Sequence, residues 1–398
     1  MPTQPASRRA LLSFGFISFG YFAYSGLFGA YAPLWFQSLG YSTLAIGTLA
    51  SMQSATRIFG PYAWGWLADH SGRRTRMLRV AAAGSLASSL GFLVTPGFGW
   101  VATVMVLLFM FTSGVSPLSE SALARFVNRE GTFDARRYGR VRVWGSIGFI
   151  AAVMTGGYLL QALGIGWFPA MTMVLLGMLL LAARSVPDIV EPPHPVEGVA
   201  GAMQVLRRPV VTWFFLGMFL TVMAHMSLYA FFSLYLASLG YEKGAIGLLW
   251  VIGVGLEVLW FWFQGRWLHL LSPHGWLLLA AVASALRFAA TAAFGHIGWL
   301  LLLAQCSHAL TFAAQHSACA ALINRHFDGP LRARGQALYS VLGYGVSGVI
   351  GGVGGGALSQ KWGFGAVFWA ASIVAVLAAL CCWRALVLER RMTGQLPD

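Results

Sequence analysis

Long apolar runs dominate this 398-residue chain and alternate with short polar segments. Each run approaches the roughly 20 residues that a helix needs to cross the hydrocarbon core of a bilayer. The twelve runs cover residues 10–37, 43–68, 76–95, 99–124, 141–162, 166–185, 209–238, 244–267, 275–294, 297–323, 335–359 and 364–388. The pattern therefore predicts an all-α membrane protein with twelve transmembrane helices.

An internal repeat divides these runs into two sets of six. Residues 34–49 (LWFQSLGYSTLAIGTL) and 234–249 (LYLASLGYEKGAIGLL) are identical at nine of sixteen positions without a gap. Such duplication in one direction predicts two pseudo-symmetric six-helix bundles. We place them at residues 1–185 and 209–398, with residues 186–208 as a cytoplasmic linker.

Composition and charge agree with a membrane location. Apolar residues make up 58% of the chain and charged residues 10%, whereas about a quarter of a soluble domain is charged. The net charge of +14 comes from arginines in alternate loops between the apolar runs. By the positive-inside rule we expect both termini to be cytoplasmic. We expect the membrane to be a bacterial-type inner membrane. The same rule accounts for the basic excess without nucleic-acid binding.

Motifs of enzymes, metal sites and cofactor sites are not found in the sequence. The four cysteines lie in apolar runs at spacings that fit neither a disulfide framework nor a zinc site. The glycine string at residues 343–348 follows no strand, and it lies in an apolar run rather than in a nucleotide-binding turn. We therefore expect neither catalytic activity, nor a cofactor, nor a bound metal.

The loop after the second run carries a motif, GWLADHSGRRTR at residues 65–76. It resembles the loop signature of the major facilitator superfamily, whose fold has two bundles of six helices. Gly72 allows a tight reversal, and Asp69 at a helix end can pair with a nearby arginine. We expect Gly65, Asp69, Gly72, Arg73 and Arg74 to form a gating loop.

A closer resemblance is carried by YGRVRVWGSIGF at residues 138–149 and SPLSE at residues 116–120. These segments are similar to the phenylpropionate-permease family and, more distantly, to lactose-permease-type oligosaccharide/proton symporters, over essentially the whole chain. The resemblance implies that Glu120 and Arg142 bind substrate as a pair, with Phe149 stacking against it.

In the second half the same resemblance implies roles for Glu257, Arg287 and His308. Lactose-type symporters carry their proton on a glutamate three residues after the histidine, where this chain has Thr311. The proton relay of those symporters is therefore not preserved intact.

Ionisable residues inside the runs need a partner or water, since each costs roughly 2.5 to 3.5 kcal/mol at a helix centre. They are Arg57, Glu120, Arg142, Glu257 and Arg287, with several histidines. Glu120 or Glu257 is the expected proton carrier, within a coupling set that includes Arg57 and Arg287. Other interpretations remain open: Glu120 and Arg142 as interfacial residues, Arg57 or Glu257 in a structural ion pair, and Arg287 as the structural partner of Glu257.

Polar side chains at helical spacing indicate further substrate contacts. His308 shares a face with Thr311 on the tenth run, and lipid would penalise such a polar stripe. Tyr24 on the first run and His225 on the seventh are further candidates, although core packing accounts for both equally well.

These observations predict a secondary transporter that works by alternating access, a proton symporter of a small organic solute. The resemblance favours an aromatic carboxylate such as phenylpropionate. The excess of buried arginines over buried acids and the aromatic residues of the runs agree with such a solute. The alternatives are a sugar or nucleoside symporter, a drug or metabolite exporter of the same superfamily, and a non-transporting receptor or scaffold. The expected partners are the solute, protons and lipid. One chain supplies both halves, so we expect a functional monomer.

Overall fold

The computed structural model describes residues 8–95, 97–129, 132–133, 135–187, 201–328 and 331–392. Helices account for nearly all of these residues. They are α1 (Arg8–Ser38), α2 (Thr43–Ser71), α3 (Arg74–Ser89), α4 (Phe98–Val127), α5 (Ala135–Leu163), α6 (Phe168–Ser185), α7 (Ala202–Leu206), α8 (Pro209–Met226), α9 (Phe232–Ser238), α10 (Lys243–Phe263), α11 (Pro273–Phe294), α12 (Gly298–Cys306), α13 (Gln315–His326), α14 (Leu331–Leu338), α15 (Ser347–Trp362) and α16 (Phe364–Met392).

Short irregular elements connect several of these helices. Three π-helical segments cover Ser227–Phe231, Ala309–Ala314 and Tyr339–Val346. Four 3₁₀ turns cover Leu90–Leu93, Ile165–Trp167, Gln264–Arg266 and Leu268–Leu270. A two-residue antiparallel pair joins β1 (Asn128–Arg129) to β2 (Thr132–Phe133).

Nine helices of the described residues are long and apolar enough to cross a membrane, and the all-α membrane fold predicted from the sequence is confirmed. Each of the twelve predicted runs contains helix, but the described residues include nine such helices, so the count of twelve stays a prediction. Three predicted runs lack a helix that is both long enough and apolar enough, and the sequence or the helix geometry explains each case. The run at 43–68 contains polar residues of α2, α3 has only 16 residues, and the run at 297–323 is interrupted after Cys306.

The chain forms two compact units, and the first contains Met1–Tyr41, Ala55–Val196 and Glu242–Leu248. In this unit α1 packs along α5 and α6, while α3 packs on α4 and α6. Phe14, Tyr31 and Phe168 are fully buried in its core. Residues 188–200, most of the predicted linker, lie outside the described residues.

The second unit contains Ser42–Ser54, Glu197–Tyr241 and Leu249–Asp398. Here α8 and α11 both pack against α16, and α15 packs on α8. Its core includes the fully buried rings of Phe214, Phe288 and Phe327.

Each unit includes a segment from the other half of the sequence, and these two segments contain part of the internal repeat. Ser42–Ser54, the start of α2, belongs to the second unit, and Glu242–Leu248, the start of α10, belongs to the first. Glycine permits the close packing of the first segment: a Cβ on Gly352 would lie 2.7 Å from the carbonyl oxygen of Gly47. Ser51 Oγ donates a hydrogen bond of 2.9 Å to the carbonyl of Val349. The repeated segments therefore contribute to the packing of both units.

Candidate functional site

A buried polar cluster in the second unit is centred on Arg287 of α11, whose exposed fraction is 3%. Its guanidinium donates to His308 Nδ1 at 2.9 Å, to Thr311 Oγ1 at 3.0 Å and to Gln305 Oε1 at 2.9 Å. All three acceptors are neutral atoms. A buried cation is therefore held here by hydrogen bonds to groups that do not cancel its charge.

The contact with Arg287 determines which nitrogen of His308 carries a hydrogen. A guanidinium can only donate, so Nδ1 must accept with its lone pair, and in the neutral ring the hydrogen is on Nε2. Nε2 lies 3.6 Å from Oε2 of Glu257 on α10. His308 thus links the cation Arg287 to the carboxylate Glu257, and its only N–H is on the side of the acid.

His225 at the end of α8 adds a second ring to this cluster. Its Nδ1 lies 2.8 Å from the carbonyl oxygen of Thr221, so Nδ1 donates and the neutral ring has its lone pair on Nε2. That Nε2 is buried and has no hydrogen-bond partner in the described part of the chain. The ring centroid lies 6.3 Å from that of His308 and 5.2 Å from that of Phe288. His225 is therefore a buried acceptor beside the cluster.

Local helix geometry positions these histidines. The π-helical segment Ser227–Phe231 begins two residues after His225, and the segment Ala309–Ala314 begins directly after His308 and contains Thr311. An extra residue in a helical turn rotates the side chains that follow it, and such π segments occur frequently at functional sites. Regular helical spacing predicted the common face of His308 and Thr311, but it did not predict these segments.

The first unit contains the pair that the resemblance implied. Arg142 Nε lies 4.0 Å from Glu120 Oε1, and both side chains are more than two-fifths exposed (41% and 44%). Ser116 Oγ donates to Glu120 at 3.0 Å, and the guanidinium carbon of Arg142 lies 4.2 Å from the centre of the Phe22 ring. This is a loose, partly exposed pair beside an aromatic ring, and Phe22 was not among the predicted contacts.

Three other predicted residues of this unit differ in exposure. Tyr24 is 2% exposed, with its ring 5.5 Å from that of Phe28. Phe149 is half-buried against α1, where a Cβ on Gly26 would lie 2.9 Å from its ring. The side chain of Arg57 is exposed, and within the described residues it makes no ion pair. Tyr24 therefore has the surroundings of a packing residue, and Phe149 remains open to a ligand.

In the predicted gating loop, Arg74 Nη2 lies 2.7 Å from Asp69 Oδ1, and Arg74 also donates to Ser121 Oγ at 2.6 Å. Gly72 has a φ of +60°, a left-handed conformation that favours glycine. Arg73 is exposed. A Cβ on Gly65 would meet nothing within 4 Å, so the structure gives no steric reason for glycine there.

A second charged cluster in the second unit was missed in the sequence analysis. Glu389 near the end of α16 lies 2.9 Å from His274 Nδ1, and it also pairs with Arg325 at the end of α13. His326 is next to it, with its ring 6.3 Å from that of His274. Burial and these cationic neighbours lower the pKa of His326 to about 4. His274 and Glu389 are far in sequence from the adjacent Arg325 and His326, so no motif indicated the cluster. Gln305 was also missed as a site residue, although it precedes His308 by one helical turn.

Membrane-spanning helices that enclose buried charges define the class of protein. Large apolar side chains such as Leu181, Trp262 and Leu286 are exposed on these helices, as contact with lipid requires. The chain is an integral membrane protein with the fold of a transporter. It belongs to the MFS_1 like family, whose sequence profile matches residues 11–370. Members of this family are membrane transporters of the major facilitator superfamily and not enzymes, as the sequence predicted.

Among the relatives of known description, the chain is 28% identical over 376 residues to the "Probable 3-phenylpropionic acid transporter" of Escherichia coli (strain K12), covering 92% of this chain and 97% of that protein. It is 26% identical over 373 residues to the "Maltose permease" of Geobacillus stearothermophilus, covering 90% of each. The predicted similarity to phenylpropionate permeases is thus confirmed.

Solved structures share the fold at lower identity. The nucleoside transporter NupG superposes with a TM-score of 0.82 at 16% identity, covering 95% of this chain and 99% of that one. A structure of a proton dependent oligopeptide transporter has a TM-score of 0.76 at 12% identity, covering 97% and 100%. The chain is therefore a major facilitator transporter that moves a small molecule across a membrane.

Proposed function

We propose that this transporter is a proton symporter that takes up an aromatic carboxylate of the phenylpropionate kind by alternating access. We further propose that it acts as a monomer in a bacterial-type inner membrane, with both termini cytoplasmic. The observation that carries the coupling proposal is the chain of contacts from Arg287 through His308 to Glu257. In these contacts an imidazole lies between a carboxylate and a guanidinium within the second unit.

The geometry of His308 supplies a way to couple a proton to a cation. Nδ1 of His308 cannot hold a proton and accept the hydrogen bond from Arg287 at the same time. A proton that binds to Nδ1 therefore displaces Arg287, and the hydrogen on Nε2 can then pass to the carboxylate of Glu257, which leaves a neutral ring. The charged or titratable groups that face His308 are Arg287 from α11, Glu257 from α10 and His225 from α8. Protonation thereby frees Nη1 of Arg287 to donate to another acceptor.

Two observations support an aromatic carboxylate as the solute. The 28% identical relative is named for 3-phenylpropionic acid. Both units also place an arginine near an aromatic ring, Arg142 at 4.2 Å from Phe22 and Arg287 at 5.8 Å from Phe288. A guanidinium binds a carboxylate and an aromatic ring packs on another, so each place offers both parts of the ligand a partner. We assign solute contact to Glu120, Arg142 and the half-buried Phe149. Tyr24, His225, His308 and Thr311 remain predicted binding residues.

Proteoliposomes test the coupling directly. The purified protein should accumulate 3-phenylpropionate when an inward proton gradient is imposed, and the Glu257→Gln variant should not. Because the glutamine keeps the shape of the site, this variant should still exchange solute down its own gradient in counterflow. Glu242→Gln is the matched control, since Glu242 lies exposed and contacts Gln161 at 2.6 Å. Gradient-driven accumulation by Glu257→Gln at the wild-type rate would show that Glu257 does not carry the proton.

A sugar is the second candidate, because the maltose permease is 26% identical over 90% of the chain. Competition for uptake between 3-phenylpropionate, maltose and a nucleoside separates the solute classes. Counterflow in vesicles of known orientation separates an importer from an exporter. Uptake of maltose without uptake of the carboxylate would replace the first proposal with the second.

A further inference from the structure

Two hydrogen-bond donors of the cluster in the second unit are buried and have no partner in the described part of the chain: Nε of Arg287 and Nε2 of Gln305. The two side chains have exposed fractions of 3% and 2%. Buried N–H groups are normally paired, because an unpaired one loses its hydration without compensation. Two neighbouring unpaired N–H groups therefore indicate a site where a ligand atom accepts their hydrogen bonds.

The orientation of the Gln305 amide is fixed by its neighbour. Arg287 Nη2 can only donate, so the atom 2.9 Å away must be the carbonyl oxygen Oε1 of Gln305. The NH₂ group is then the free end of the amide. The hydrogen bond between Nη2 and Oε1 brings the two side chains into contact. The unpaired guanidinium N–H and the unpaired amide N–H groups therefore belong to neighbouring side chains.

The charge of Arg287 specifies the kind of ligand. Within the described residues no carboxylate lies within 4.0 Å of its guanidinium, and the acid Glu257 contacts His308. A buried charge without a counter-ion is unfavourable, and a ligand anion removes that cost. A carboxylate has two acceptor oxygens and one negative charge, which match two donors and one cation.

The surroundings of this place are aromatic. The Phe288 ring centre lies 5.8 Å from the Arg287 guanidinium, and the Phe312 ring stacks on His308 with centroids 5.4 Å apart and planes 14° apart. Rings at such distances can pack against an aromatic or aliphatic ligand body while the N–H groups bind its anionic end.

We propose that Arg287 Nε and Gln305 Nε2 together hold the carboxylate of the transported solute, which makes Gln305 a substrate-binding residue. This rests on the proposed function and makes it more specific: the anionic end of the solute binds in the second unit, where the charge of Arg287 favours an acid over its neutral analogue and Gln305 supplies a second donor.

Isothermal titration of the purified full-length protein tests this with two probes, 3-phenylpropionate and the neutral 3-phenylpropionamide. Gln305→Glu places a protein carboxylate where the solute carboxylate binds. We expect it to weaken 3-phenylpropionate binding roughly 10- to 100-fold, because a charge-assisted pair is replaced by repulsion. Binding of the amide should change by less than about threefold. Gln305→Leu removes the donor without adding charge, and it should weaken carboxylate binding by about tenfold.

Gln315→Glu is the matched control. Gln315 is also a buried glutamine with an unpaired Nε2, at 4% exposure, but it makes no contact with Arg287 in the described structure. It should leave carboxylate affinity within about threefold of wild type. Thermal unfolding of each variant confirms that it is folded before titration.

Each result distinguishes the two proposals. Selective loss of carboxylate binding in the Gln305 variants supports this anchor. Unchanged affinity in these variants, or equal loss in Gln315→Glu, overturns it while wild-type uptake of 3-phenylpropionate leaves the proposed function standing. If the wild-type protein neither binds nor transports 3-phenylpropionate, the proposed function is overturned and the anchor with it.

Discussion

The hydrogen bond from Arg287 to His308 predicts that two substitutions of His308 have different effects on stability and the same effect on coupling. In His308→Asn, the amide oxygen stands close to the position of Nδ1 and can still accept from Arg287. In His308→Leu, a side chain of similar size offers no acceptor. Neither variant has an N–H at the position of Nε2, which lies 3.6 Å from Glu257.

The magnitude follows from the contacts of Arg287. Its Nη1 bonds to His308 at 2.9 Å and to Thr311 at 3.0 Å, so His308→Leu removes one of two acceptors from a charged donor. A hydrogen bond to a charged group contributes about 1.5 to 3 kcal/mol. We expect His308→Leu to lower the free energy of unfolding by about that amount, and His308→Asn by less than about 1 kcal/mol.

Thermal unfolding in detergent, followed by tryptophan fluorescence, measures the stability difference between the two variants. Solute-dependent proton uptake into proteoliposomes measures the coupling, which should be lost in both. Equal destabilisation by Asn and Leu would show that Nδ1 is not an acceptor for Arg287. Wild-type proton uptake by His308→Asn would show that Nε2 has no part in proton transfer.

Three further predictions concern other parts of the chain. Gly352→Val should lower stability by about 1 to 3 kcal/mol, because its Cβ would lie 2.7 Å from the carbonyl of Gly47, whereas Gly354→Val, with nothing within 4 Å, should be tolerated in the same thermal assay. The pKa of His326 is lowered from 6.5 to about 4, so the stability that its neutral form contributes is fully present above pH 6.5 and is lost as the pH falls toward 4. In His326→Gln the melting temperature should therefore depend less on pH between 6.5 and 4. A pH dependence equal to that of the wild type would contradict this prediction. Asp69→Asn should change stability by less than about 1 kcal/mol, because the pair with Arg74 is partly exposed, yet it should alter the transport rate in proteoliposomes; an unaltered rate would remove the pair from gating.

Hydrophobic patterning was sufficient to predict the membrane class, because a bilayer requires long apolar helices whatever their neighbours are. It was less informative where a helix carries polar residues or changes its period. The run at 297–323 shows why: α12 ends at Cys306, a π-helical segment follows at Ala309–Ala314, and α13 begins at Gln315. The extra residue in a π-helical turn does not change the apolar composition of the run, so the pattern of apolar residues could not predict it.

Candidate residues were predictable where a charge lies in an apolar run. Arg287 and Glu257 were identified this way, but which groups they contact was not, because contacts between helices are set by packing rather than by spacing in sequence. Gln305 was overlooked for a related reason. Burying an uncharged amide in an apolar run costs less free energy than burying an ion, so a glutamine there is a weaker sign of function. Here Gln305 accepts a hydrogen bond of 2.9 Å from the buried cation Arg287.

The exchange of Ser42–Ser54 and Glu242–Leu248 between the two units has a consequence for biosynthesis. When the ribosome has completed the first six apolar runs, the first unit still lacks a segment that is encoded after the linker. That unit cannot reach its final packing until α10 has been synthesised and inserted. The packing of the first unit is therefore completed only during synthesis of the second half, and a fragment that ended at the linker would lack Glu242–Leu248 from that unit.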